Sequence, residues 1–106
     1  MAWLYLLFAG LFEVGYASTL KLTEGFTRIW PTLFFGLCIV ASFICLARAA
    51  REIPIGTAYA IWAGIGTAGT ALVGVLVYNE PATAFRMLCL VALIASIIGL
   101  RLATPA

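Results

Sequence analysis

The chain has 106 residues, of which 65% are hydrophobic and 9% charged; its formal net charge is +2 and its mean hydropathy +1.16. These values exclude an ordinary soluble domain and point to a membrane protein. The lack of His, the absence of C-x-x-C spacing among Cys38, Cys45 and Cys89, and the absence of a Gly-rich phosphate loop or a basic patch argue against a disulfide framework, a metal centre, a cofactor, nucleic-acid binding and enzyme chemistry.

The charges draw the spans. Every charged residue except Glu13 lies at the end of an apolar run, and those ends delimit helices over residues 2–22, 31–50, 55–78 and 84–102. Each is near the ~20 residues that cross ~30 Å of hydrocarbon. The expected fold class is therefore an all-α membrane protein, with residues 1–106 forming one four-helix transmembrane domain. The first run has no basic leader and Glu13 interrupts it, so it reads as a retained span rather than a signal peptide.

Within that first span, Glu13 is the informative residue. A carboxylate at the centre of a bilayer costs roughly 3 kcal/mol on insertion scales, so such a residue usually faces a bundle interior or an aqueous cavity. A membrane-embedded proton or cation site follows as the leading reading, against a structural helix contact. Gly10, Glu13, Tyr16, Ala17 and Leu20 share one helix face, which puts Tyr16 one turn from the carboxylate. The second span carries Ser42 at mid-depth, with two open roles: a hydrogen bond to Glu13, or one to its own i−4 carbonyl.

The third span opens with a run rich in small residues from Gly56 to Gly66. Tyr59 and Trp62 stand at i, i+3 and offer an aromatic wall to a cation, or interfacial anchoring. Gly64 and Gly66 lower helix stability there and mark a candidate hinge. On the fourth span, Ala92 with Ser96 and Ala95 with Gly99 are small-x-x-x-small pairs, the spacing that allows close helix contact in lipid. Across four spans, Lys21, Arg28 and Arg86 fall on one side, and Arg48, Arg51 and Arg101 on the other. The positive-inside bias vanishes, which permits insertion in both orientations and an antiparallel dimer.

Residues 12–14, Lys21, residues 24–28, residues 41–43 and the run from Pro54 to Gly66 together resemble the small multidrug resistance family of proton-coupled exporters, and the likeness covers essentially the whole chain. The resemblance implies a dual-topology dimer, a homodimer or a heterodimer with a paralogue, in a bacterial inner or plasma membrane. It implies that the two Glu13 carboxylates bind either protons or one cationic substrate, that Tyr59 and Trp62 line the site, that helix four carries the dimer contact, and that the bend at Gly64 to Gly66 takes part in switching.

Residues 57–70, Glu80 and Pro81 with Arg86, the ending Ile98 to Arg101, and aliphatic Ile39 look like the guanidinium exporters of that family rather than its broad exporters of quaternary ammonium and lipophilic cations. Tyr16 departs from both, since the guanidinium exporters carry Trp at that position and the multidrug members Gly. Tyr keeps an aromatic body and a polar tip beside Glu13. The expected function is proton-coupled export of guanidinium ion and substituted guanidines, with Glu13, Tyr16, Ser42, Tyr59 and Trp62 as the substrate and proton site. The alternatives are broad lipophilic-cation export and, in a different class, a non-transporting membrane subunit.

Overall fold

A computed structural model describes residues 1–104, and over these the chain forms four α-helices and one short 3-10 turn. They are α1 (Ala2–Thr19), α2 (Ile29–Ala49), α3 (Ile55–Val77) and α4 (Ala84–Ala103), with the 3-10 turn at Lys21–Thr23. By length and composition α2, α3 and α4 are long and apolar enough to cross a membrane; α1, 18 residues that include Glu13, is not among them.

The first span ends earlier than the 2–22 expected from hydropathy. Thr23 is the reason: it is fully buried, its hydroxyl donates to the Leu20 carbonyl at 2.7 Å and accepts from the Phe26 amide at 3.2 Å, and so it takes over backbone groups that a longer helix would use. Glu24, Gly25 and Phe26 then all take positive φ, which reverses the chain toward α2. Conversely, α2 begins at Ile29 rather than at Pro31, because a proline in the first turn gives up an N–H that has no intrahelical partner anyway. At α4 the Thr83 hydroxyl caps the helix by accepting from the Arg86 amide at 3.2 Å.

The helices pack in the order α2, α1, α3, α4. α1 lies along both α2 and α3, which barely approach each other, and the α4 backbone approaches only α3. Glycines allow the closeness: a Cβ on Gly10 of α1 would strike Ile65 of α3, one on Gly69 of α3 would strike Val14 of α1, and one on Gly64 would meet Ile97 of α4 at 2.7 Å. The resulting Cα envelope measures 43 × 34 × 17 Å. It is a slab, and α4 buries none of its residues within it.

The core sits toward one end, where Leu6, Ala9, Leu46, Ile53, Ile61 and Trp62 are buried together. At that same end Arg48 lies over the Tyr5 ring at 5.9 Å and Arg101 over the Trp3 ring at 4.5 Å. At the opposite end Lys21 lies over the Tyr78 ring at 5.2 Å, and Arg86 pairs with Glu80 at 3.4 Å.

Candidate functional site

Glu13 leaves α1 toward α3, and its carboxyl lies against the backbone at Gly66, where any Cβ would collide with it. Only glycine leaves that space. The Glu13 Oε1 atom is buried without a hydrogen-bond partner in the protein, an expensive condition for a carboxylate oxygen unless something binds it. The carboxyl opens into a cleft of about 400 Å³ between α1 and α3, also lined by Ala17, Thr67, Thr70 and Glu80.

One helical turn away, a polar junction ties three helices together. The Ser42 hydroxyl of α2 donates to the Ala9 carbonyl of α1 at 2.7 Å and accepts from the Trp62 indole N–H of α3 at 2.9 Å. Ser42 is fully buried and Trp62 6% exposed, so both bonds are shielded from any competing solvent. This corrects both roles weighed for Ser42 on sequence, since its proton goes neither to Glu13 nor to its own helix. Ala9 and Glu13 are four residues apart on α1, and Trp62 and Gly66 four apart on α3. The junction therefore fixes the two helices one turn from where the carboxyl meets Gly66.

The aromatic residues divide between inside and outside. Trp62 stacks at a tilt on Phe43, 5.3 Å between ring centroids, while Tyr59 meets Trp62 edge-on at 5.1 Å. Tyr59 itself is 55% exposed, so its ring is presented at the protomer surface. Tyr16 turns toward α2, its ring edge-on to Phe35 at 5.5 Å, and its hydroxyl makes no hydrogen bond among the described residues. Hence Ser42, Tyr59 and Trp62 form one connected group, Glu13 lies a turn away against Gly66, and Tyr16 flanks it on the α2 side.

Through Gly64 and Gly66, α3 runs as one unbroken helix. Both glycines serve as points of close approach, to α4 and to Glu13. The residues proposed for dimer contact, Ala92, Ala95, Ser96 and Gly99, are all exposed on α4; the Ser96 hydroxyl donates to the Ala92 carbonyl at 2.9 Å, and nothing lies within 4 Å of a Cβ built on Gly99. Sequence reasoning did not single out Thr70, Ser18 or Glu80 as companions of Glu13. Thr70 follows Gly66 by one turn and is legible from that spacing once Gly66 is known to meet Glu13. Glu80 was not, because its place depends on the chain folding back after α3, where its amide donates to the Gly74 carbonyl at 3.0 Å.

Removing the hydroxyl in Ser42→Ala leaves the Trp62 N–H and the constrained junction without their partner. A loss of about 1–3 kcal/mol in stability is expected for a buried donor left unpaired. Thermal unfolding in detergent, followed by tryptophan fluorescence, measures it.

The family model described as Small Multidrug Resistance protein matches residues 1–100. Over 104 residues, 98% of this chain and 99% of the relative, the sequence is 46% identical to the guanidinium exporter of Citrobacter freundii and to that of Salmonella typhimurium. Over 104 residues it is 44% identical to the guanidinium exporter of Proteus vulgaris, covering 98% of this chain and all of the relative.

Proposed function

The chain belongs to the small multidrug resistance family, and from that premise we propose that it is a proton-coupled antiporter exporting guanidinium ion, and substituted guanidines, across a bacterial inner membrane. The observation that carries this reading is Glu13, a carboxylate midway along an apolar helix, seated against a glycine with one oxygen unpaired by protein. Its support comes from the names of relatives that match over nearly their full length.

The mechanism rests on competition. Guanidinium is planar and its delocalised charge is weakly hydrated, so it leaves water readily, and a carboxylate accepts two parallel, charge-assisted hydrogen bonds from one edge of it. Glu13 holds the cation when ionised and releases it when a proton takes its place. Because both ligands need the same oxygens, one gradient drives the other without a second site. Tyr59 supplies a ring face to the bound cation, buried Trp62 backs that ring and is itself held by the Ser42 bond, and Tyr16 closes the α2 side. Gly64 and Gly66 form the thin section of α3 that accommodates the switch between outward and inward access.

A single protomer gives only half of this site. Its slab shape leaves the Tyr59 ring and the α4 surface uncovered, and α1, with a carboxylate at mid-depth, crosses the bilayer only when that carboxylate is shielded from lipid. An antiparallel homodimer supplies the cover, its α4 helices meeting over Ala92, Ala95, Ser96 and Gly99; the equal distribution of basic residues between the two ends permits the opposed insertion it requires. A paralogue inserted the opposite way would serve equally as the second half.

Proteoliposomes containing only this protein test the reading. Currents driven by guanidinium and by methylated or phenyl guanidines are expected, coupled to counter-moving protons. Strong currents with tetraalkylammonium alone would instead place the protein with the broad cation exporters. No current with any of these ions from the homodimer, nor after co-insertion of a paralogue, would leave it a non-transporting subunit.

A further inference from the structure

Several Ser and Thr hydroxyls in this protein bond backward to a carbonyl one helical turn earlier. Thr19 donates to Gly15, Thr32 to Arg28, Ser96 to Ala92 and Thr104 to Leu100, at 2.5–3.0 Å. Two do not. The Ser18 and Thr70 hydroxyl oxygens are buried without a protein partner, and the one other side-chain atom in that condition among the described residues is Glu13 Oε1. All three lie between α1 and α3.

They also lie along a continuous space. The cleft of about 400 Å³ at Glu13 and a second of about 240 Å³ at Lys21 share Ala17, Thr70 and Glu80 in their walls, and Ser18 lines the second. The outer end is charged and held in place: Lys21 lies over Tyr78, Arg86 pairs with Glu80 and donates to the Pro81 carbonyl at 2.6 Å, and the Tyr78 hydroxyl is committed to the Ser18 carbonyl at 2.7 Å. That last bond uses the Ser18 backbone and leaves its side chain free. Buried hydroxyls in an apolar bundle need a partner, and a cleft wide enough for several water molecules, with Glu13, Ser18, Thr70 and Glu80 in its walls, provides one.

We infer that the α1–α3 cleft is a hydrated proton conduit, open in one protomer of the antiparallel pair at a time, leading from Glu80 at the end of the bundle past Ser18 and Thr70 to Glu13. A proton taken up at the outer carboxylate passes along waters held by the two hydroxyls and ends on the Glu13 carboxylate, where it displaces the cation; two protomers deliver two protons for one cation, so the exchange carries net charge. The charged and titratable groups along the path are Glu13, Lys21, Tyr78 and Glu80, with Arg86 on the last. The inference rests on the reading of Glu13 as the exchange site and adds a proton route separate from the aromatic face at Tyr59 and Trp62.

Two assays on proteoliposomes separate the possibilities: guanidinium-driven proton movement reported by an internal pH dye, and counterflow of labelled guanidinium at equal pH, which needs no net proton transfer. Thr70→Val keeps the side-chain shape and removes the relay. It is expected to slow proton movement about tenfold, the rate equivalent of one buried hydrogen bond, while counterflow is unchanged and Thr70→Ser restores the rate. Ser18→Ala gives the same comparison if the valine variant does not reach the membrane. Equal rates for wild type and variants in both assays, or equal slowing of both, would overturn the conduit while wild-type coupling leaves the exchange reading standing. Wild-type counterflow without any proton movement would remove the exchange reading and the conduit with it.

Discussion

Glu13→Gln is expected to lower guanidinium affinity by at least about a hundredfold, the cost of removing one partner from a buried charge pair, and to bring coupled transport to background. Gln has the size of Glu and can still offer one oxygen, so the α1–α3 packing at Gly66 survives and the loss reports on charge alone. Isothermal titration with guanidinium and the proteoliposome current measure the two effects. The wild-type pH dependence has a definite sign. The cation binds the ionised carboxylate, so protons compete with it, and below the pH at which Glu13 is half protonated the apparent affinity falls about tenfold per pH unit for each proton bound. The affinity levels off at higher pH. A pH-independent affinity, or substantial coupled flux in the Gln variant, would rule out competition at this carboxylate.

Gly66→Ala has the second largest expected effect, and it acts through geometry. A methyl group there occupies the space of the Glu13 carboxyl, and neither partner yields easily: α3 is held by Trp62 one turn away, and α1 by the Ala9 carbonyl in the same junction. Overpacking of this kind costs about 1–3 kcal/mol, and it displaces the one group that holds the cation. Guanidinium affinity should fall together with thermal stability. Gly36→Ala on α2 is the matched control, because nothing lies within 4 Å of its added Cβ. There an exposed helical glycine gains about 0.5–1 kcal/mol on replacement by alanine. Unchanged binding in Gly66→Ala would mean that the carboxyl does not work from its position against α3.

The pairing of Glu13 with Gly66 shows what a glycine in a membrane helix can do other than bend it. On sequence, Gly64 and Gly66 read as flexible points. In the fold they are the positions at which α4 and a carboxylate come closest to α3, while the helix stays continuous. The same contact places Glu13 against a helix with which it shares no sequence proximity.

The sequence by itself determined the class of the protein and its four helices, and it singled out the one carboxylate inside a span, Glu13. A bilayer forces each span to satisfy its own backbone hydrogen bonds, so hydropathy and charge placement mark the helices almost directly, and a single carboxylate inside one is conspicuous. The i, i+3 spacing also put Tyr59 beside Trp62, because neighbours on one helix are set by local geometry alone. What remained for the tertiary structure were the contacts between helices. The partners of Ser42 come from α1 and α3, Thr23 ends α1 only because the chain turns back there, and Glu80 reaches the Glu13 cleft only through the fold of the segment after α3. Those placements depend on rotation and depth of one helix against another, which side-chain packing decides and no spacing within a single helix records.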